Sequence, residues 1–202
     1  PFLEKIRKDN ATGLIRNAAI LALLGDNVTT DHLSPGNQIS KGSQAGEDLA
    51  SKGVKPEDFS SYLQRRVNHE VMMRGTFDNA HIQNEMTPQT KGGWTTHGPS
   101  KAPVTIYEAH KLYAAERRPL VVIAGKEYGT GSSRDWAAKG PYLLGVRAIL
   151  AESFERIHRS NLIGMGILPL EFLEGENRKY FKLNGSESVD ILTAHHDIDV
   201  KK

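Results

Sequence analysis

The chain has 202 residues, with 26 basic and 24 acidic side chains and a formal net charge of +2. A charge this close to neutral argues against general nucleic-acid or membrane binding, which usually requires a strong basic excess. The sequence contains no cysteine, which excludes disulfides, a thiol nucleophile and a thiolate-bound iron–sulfur cluster within this chain.

Residues 1–17 are polar and basic, and we interpret them as a lead-in or linker. The chain begins with Pro1 rather than Met, which is typical of a mature product or of a piece of a longer protein. No apolar run approaches the roughly 20 residues of a membrane span, and the charged N-terminus lacks a signal-peptide core. We therefore expect one domain over residues 18–202, in the cytoplasm or an organelle matrix, without membrane association.

The first half of the chain is rich in predicted loops. An apolar run over residues 18–25 predicts a buried strand, and residues 26–36 form a polar loop after it. A short helix is expected near residues 45–52. Residues 78–103 contain several Gly, Thr and Pro residues and are expected to be mostly irregular.

The second half alternates between strand and helix patterns. Strands are predicted at residues 120–125, 146–151 and 167–170, and helices at residues 133–144 and 154–164. Alternation on this spacing predicts a parallel βαβαβ unit and an α/β fold class.

A glycine-rich loop follows the strand predicted at residues 120–125. Its segment from Gly129 reads Gly-Thr-Gly-Ser-Ser-Arg-Asp-Trp. The glycines permit close backbone approach, Ser132 and Asp135 have the spacing of a helix cap, and Arg134 beside free helix N–H groups would attract a carboxylate. A capped helix with a surface arginine explains the local pattern equally well. Nucleotide binding is disfavoured, because the last glycine of a dinucleotide fingerprint and the Gly-Lys-Ser/Thr of a P-loop are absent.

Residues 129–140 resemble the Gly-x-Gly-Ser-Ser-Arg motif of aconitases, in the variant of cytosolic-type aconitases and iron regulatory proteins. Four further blocks agree with this family in the same order along the chain: residues 24–32, 68–77, 153–162 and 164–170. The resemblance as a whole covers about residues 18–172. It implies the C-terminal swivelling domain of aconitase, a layered β/β/α fold.

The reaction that this resemblance implies removes a proton beside a carboxylate and expels a hydroxyl group from the neighbouring carbon of a tricarboxylate. It needs a placed base, assistance to the leaving hydroxyl and cationic groups that orient the substrate. The resemblance also implies a [4Fe-4S] cluster in the complete enzyme, held by cysteines outside this chain. The expected partner is the cluster-bearing part of the same enzyme or a large subunit.

By the same resemblance, Ser132 matches the catalytic base, which acts as an alkoxide. Positions matching substrate-binding or active-site residues are Arg74, Ser133, Arg134, Asp31 and Ser34. The histidines and one arginine nearby are interpreted as structural or as exposed loop; these are His32, His69, His158, Arg159, His195 and His196.

Alternative functions remain open. A small subunit of isopropylmalate dehydratase type has a similar fold. An enzyme that acts on homoaconitate or methylcitrate is harder to exclude, because one methyl group of a substrate changes its affinity by only ~1–3 kcal/mol. Residues 33–37 and 77–81 depart from the family pattern, which bears on the identity of the substrate. An RNA-binding module of iron regulatory protein type is a further alternative, which the near-zero net charge and the absence of half of the cleft disfavour.

Overall fold

The computed structural model of this chain describes residues 14–98 and 101–192. The strands are β1 (Leu14–Leu23), β2 (Trp94–Thr96), β3 (Pro103–Thr105), β4 (Leu120–Ile123), β5 (Val146–Ala151), β6 (Leu168–Glu171) and β7 (Ser188–Leu192). The helices are α1 (Thr30–Leu33), α2 (Gln44–Ser51), α3 (His69–Gly75), α4 (Ile106–Ala115), α5 (Trp136–Leu143) and α6 (Arg156–Met165), with a 3-10 turn at Pro56–Asp58.

A five-stranded sheet in the order β6-β5-β4-β1-β7 forms the centre of the fold. Strands β4, β5 and β6 pair in parallel through the crossover helices α5 and α6, which confirms the predicted βαβαβ unit and the α/β class. Strand β1 is parallel to β4, and β7 is antiparallel to β1. All four residues of β4 are buried, as expected for an inner strand of a parallel sheet.

The main core lies between one face of this sheet and the helices α4, α5 and α6. Sheet residues such as Leu21 and Val122 meet helix residues such as Ile106 and Leu162 there. Alternate strand residues, including Ile20 and Val121, point to the opposite face. That face borders an apolar groove of about 500 Å³. None of the helices in the described ranges is long and apolar enough to cross a membrane.

Helix α5 approaches α3 closely because Gly140 has no side chain. A Cβ atom at Gly140 would overlap Thr76 Oγ1 and lie 2.9 Å from Thr76 Cγ2. Thr76 is 2% exposed, and its hydroxyl donates to the Met72 carbonyl oxygen at 3.0 Å, so it has little freedom to move.

Gly140→Ala is therefore expected to lower the free energy of unfolding by about 1–3 kcal/mol through overpacking. Urea denaturation of the chain measures it. Gly164→Ala is the matched control, because it also lies inside a helix but a Cβ there meets nothing within 4 Å. The control should be neutral or stabilising by up to about 1 kcal/mol, and equal destabilisation of both variants would contradict this packing.

The two largest boundary differences from the predictions are the starts of β1 and α5. Strand β1 begins at Leu14, four residues before the predicted strand start at residue 18, and residues 1–13 lie outside the described residues. Helix α5 begins at Trp136 rather than at residue 133. The predicted cap by Ser132 and Asp135 is wrong, because Asp135 occupies the N-cap position without a side-chain cap bond. Contacts of Ser132 and Arg134 with α1, described below, hold this segment outside the helix.

Candidate functional site

The loops that follow β1 and β4 run side by side at the carboxyl edge of the sheet. Gly125 N donates to the Gly25 carbonyl oxygen at 3.1 Å, and Gly129 N donates to the Val28 carbonyl oxygen at 2.8 Å. Ligands of open α/β sheets bind outside the carboxyl ends of the strands. The two loops carry five of the six predicted site residues, at positions 31, 34 and 132–134.

Helix α1 fixes the first of these loops. Thr29 and His32 form a reciprocal cap, in which Thr29 Oγ1 accepts from His32 N at 3.2 Å and His32 Nδ1 accepts from Thr29 N at 3.0 Å. Burial, and then the nearby His81, lower the pKa of His32, which favours the neutral ring that can accept this bond. The structural role expected for His32 is thus confirmed as a helix cap.

Thr30 ties the two loops together. Its hydroxyl donates to the Ser132 carbonyl oxygen at 2.6 Å, and its backbone N–H donates to the Thr130 carbonyl oxygen at 2.9 Å. Gly131 between them has φ +103°, a left-handed conformation that favours glycine. The loop therefore turns towards α1 before α5 begins, and Ser132 is left exposed at its tip.

Arg134 and Asp31 form an ion pair across the loops, with Arg134 Nε 2.7 Å from Asp31 Oδ1. The nitrogen makes no well-aligned hydrogen bond, and the side chains are 37% and 63% exposed. A pair of this kind contributes at most about 1 kcal/mol. Among the described residues, none bonds the two terminal nitrogens of Arg134, so its guanidinium can receive a carboxylate.

The remaining two loop residues differ in exposure. Ser133 is exposed, and its Oγ lies 3.4 Å from Asn161 Nδ2 on α6. Ser34 is 5% exposed, and its backbone N–H donates to the Thr30 carbonyl oxygen, which closes α1. Sequence reasoning did not single out Thr30 or Asn161. Both residues do lie in blocks that resemble aconitases, Thr30 in residues 24–32 and Asn161 in residues 153–162.

The sixth predicted residue, Arg74, lies in α3 and has its own set of partners. It pairs with Asp48 at 2.9 Å and Glu70 at 2.7 Å, and its guanidinium stacks over the Tyr107 ring at 4.5 Å. The hydrogen bond from Arg74 lowers the pKa of Glu70. Arg74 lines a polar pocket of about 240 Å³. Within the described ranges it makes no hydrogen bond or ion pair with the Asp31–Arg134 pair.

A buried arginine supports the start of both loops. Arg178, with its side chain only 7% exposed, lies 2.8 Å from Glu85, 3.2 Å from Glu152 and 3.9 Å from Asp26. Asp26 Oδ1 in turn accepts from Lys126 N at 3.0 Å. Arg178 was not foreseen, since an arginine in a sequence is normally read as a surface residue.

The residues of this chain do not fit an iron–sulfur cluster. The sequence has no cysteine. In the part of the chain that the structure describes, no group of three His, Cys, Asp or Glu side chains is placed to hold a metal ion. His195 and His196, expected to be exposed, lie outside the described residues.

Comparison with known proteins identifies the class. The Aconitase C-terminal domain family matches residues 47–175, more than half of the chain. The chain therefore belongs to the aconitase C-terminal domain family.

Its relatives include aconitate hydratase A of Escherichia coli, 62% identical over 192 residues, and that of Salmonella typhimurium, 59% identical over the same length. Each alignment covers 95% of this chain and 22% of the relative. The chain thus spans about a fifth of the length of the curated relatives it matches. Among solved structures, 3-isopropylmalate dehydratase from Methanocaldococcus jannaschii has a TM-score of 0.47 and 19% identity, covering 88% of this chain and 70% of that chain.

Proposed function

We propose that this chain is the substrate-binding and base-supplying domain of an aconitate hydratase, which interconverts citrate and isocitrate through cis-aconitate. The observation that carries the proposal is a pair of loops at the carboxyl edge of the sheet, joined by a hydrogen bond and an ion pair, which bring together Ser132, Arg134 and Asp31. The relatives named aconitate hydratase A, about 60% identical over 95% of this chain, support the same reaction. The longer protein that would contain this domain is called the complete protein below.

Ser132 acts as the base in this proposal. As the alkoxide, its Oγ takes the proton from the carbon beside a substrate carboxylate and keeps it until it is returned. The C–H electron pair forms the double bond of cis-aconitate as the hydroxyl group leaves the neighbouring carbon, a departure that the cluster of the complete protein would assist. A serine hydroxyl is a weak base, so the alkoxide needs positive charge and N–H donors close by. Arg134, two residues further on, and the positive end of the α5 dipole are the groups available in this chain, since the N–H groups of Ala137 and Ala138 already donate to backbone oxygens.

Substrate carboxylates bind to Arg134 and Arg74, with Ser133, Asp31 and Ser34 completing the site. Arg134 exchanges its exposed contact with Asp31 for a substrate carboxylate at little cost. Arg74 is held by Asp48 and Glu70, which orient its guanidinium in the polar pocket.

The [4Fe-4S] cluster of the complete protein belongs to a region outside this chain, because no residue here supplies a thiolate. The partner is that cluster-bearing region or a large subunit, and the proposed location is the cytoplasm.

Arg134→Ala and Arg74→Ala in the complete protein are expected to raise the Kd and KM for a tricarboxylate about 10- to 100-fold, the effect of losing one charged hydrogen bond, with a smaller loss of kcat. Steady-state kinetics and calorimetric titration with citrate measure it. Arg66→Ala is the control, because it removes an equal charge from an exposed arginine bonded only to the Leu63 carbonyl oxygen. An unchanged KM in Arg134→Ala would remove Arg134 from the binding site.

A substrate panel tests the reaction itself. The complete protein is assayed with cis-aconitate, 3-isopropylmalate and homoaconitate, and kcat/KM is compared. We expect cis-aconitate to be preferred. A preference for 3-isopropylmalate of about tenfold or more, equal to about 1.4 kcal/mol of transition-state binding, would assign the chain to a related hydro-lyase instead.

A further inference from the structure

A buried histidine lies directly beneath the glycine-rich loop. His158 is in the first turn of α6, where its backbone N–H donates to Glu155 Oε2 at 2.9 Å. It is 1% exposed, and neither ring nitrogen has a hydrogen-bond partner among the described residues. Burial lowers the pKa of His158 to about 4. The ring is therefore neutral at pH 7, and it acts on its surroundings through shape rather than charge.

The loop backbone rests on this ring at Gly129. A Cβ atom added there would overlap the Cγ and Cδ2 atoms of His158 and lie 2.6 Å from its Cβ. Gly129 also has φ +83°, so the loop takes a left-handed conformation where it crosses the ring. The carbon edge of the imidazole occupies the space that a side chain at this position would need.

The same ring fixes the residue before the glycine. Tyr128 is fully buried, with its ring centroid 5.5 Å from that of His158 and 6.0 Å from that of Phe154. Its backbone N–H donates to the Ser153 carbonyl oxygen, and its carbonyl oxygen accepts from Glu155 N, both at 3.0 Å. Residues at the start of α6 thus contact Tyr128 and Gly129, and Gly129 is three residues before Ser132 at the loop tip.

We propose that His158 is a positioning residue, whose flat ring sets the position of Gly129 and through it the position of Ser132. Gly129 N bonds the Val28 carbonyl oxygen, so a displaced Gly129 also loosens the contact between the two loops. The catalytic consequence rests on the function proposed above, whereas the effect on the loop does not.

Amide hydrogen exchange on this chain tests the effect on the loop. The reporters are the N–H groups of Gly129 and Thr30, which bond across the loops, and the reference is Ala124 N, which bonds the Leu150 carbonyl oxygen. In His158→Ala we expect the reporters to exchange about tenfold faster relative to the reference, because only the local opening becomes easier. His158→Phe keeps a flat ring and should stay close to the unsubstituted chain. His158→Leu, which fills more of the volume without a flat ring, replaces the alanine variant if that variant does not fold.

Leu162→Ala is the matched control for general loosening of α6. Leu162 is 0% exposed and lies one turn after His158 in the same helix, within the main core. It should accelerate the reporters and the reference alike. The proposal is overturned if Leu162→Ala gives the same selective effect as His158→Ala, or if the reporters of His158→Ala and His158→Leu exchange as in the unsubstituted chain.

Kinetics of the complete protein separate this inference from the proposed function. Displacement of Ser132 by about 1 Å costs about 100-fold in kcat, so His158→Ala should lower kcat more than it raises KM, and His158→Phe should restore kcat. A selective change in exchange with normal kcat would retain His158 as the support of the loop but would overturn its part in positioning Ser132, whereas the base itself is tested by Ser132→Ala.

Discussion

Ser132→Ala in the complete protein is expected to lower kcat by about 10²- to 10⁴-fold, the usual contribution of a positioned general base. KM for the tricarboxylate should change by less than about threefold, since the lost oxygen acts in the transition state. The reason is that Ser132 is the exposed hydroxyl at the tip of the loop that Thr30 ties to α1. Steady-state kinetics with cis-aconitate measure the effect.

Ser133→Ala is the matched control, because it removes the same atom from the neighbouring exposed serine. Ser133 Oγ faces Asn161, and in this account it binds substrate rather than removing the proton. Its substitution should affect KM more than kcat. Near-normal kcat in Ser132→Ala, or equal losses of kcat in both variants, would contradict the assignment of Ser132 as the base.

Arg178→Met is expected to lower the free energy of unfolding by about 3 kcal/mol, at the lower end for a broken buried ion pair. Without the guanidinium, Glu85 and Glu152 lose their shared cation, and Glu152 is only 14% exposed. The lower end applies because Glu85 and Asp26 reach solvent, with side chains 36% and 50% exposed. Urea denaturation of the chain measures it.

Arg66→Met is the control for this second prediction, since it removes an exposed arginine with one bond to a backbone oxygen. It should change stability by less than about 0.5 kcal/mol. Adding Glu85→Gln to Arg178→Met should recover part of the loss, because one uncompensated carboxylate is removed. Equal stability of Arg178→Met and Arg66→Met would show that the carboxylates do not depend on Arg178.

Strands β1, β4, β5 and β6 were predictable because their apolar runs are continuous, whereas β2, β3 and β7 were not predicted. Strand β5 has the predicted bounds, and β4 ends two residues early because Ala124 and Gly125 already belong to the site loop. Helices α1 and α3 are too short, at four and seven residues, to show a helical period. Helix α4 was not predicted, although the spacing of Thr105 and Glu108, which form a capping box, indicates a helix start.

The sequence indicated which loop residues to propose for the candidate site but not how these loops contact each other. The cap expected for Ser132 and Asp135 failed because Thr30, far away in sequence, holds the Ser132 carbonyl oxygen. Local spacing contains no information about such a contact. For the same reason the sequence did not indicate that Arg74 pairs with Asp48 and stacks on Tyr107.

The most direct test of the proposed half-site is cis-aconitate hydration by this chain alone, by an anaerobically reconstituted cluster-bearing region alone, and by their mixture. Turnover is expected only in the mixture, because in the proposed function this chain supplies the base and carboxylate-binding arginines but no cysteine. Addition of the Ser132→Ala chain in place of the unsubstituted chain should abolish that turnover. Clear turnover by this chain alone would contradict the account.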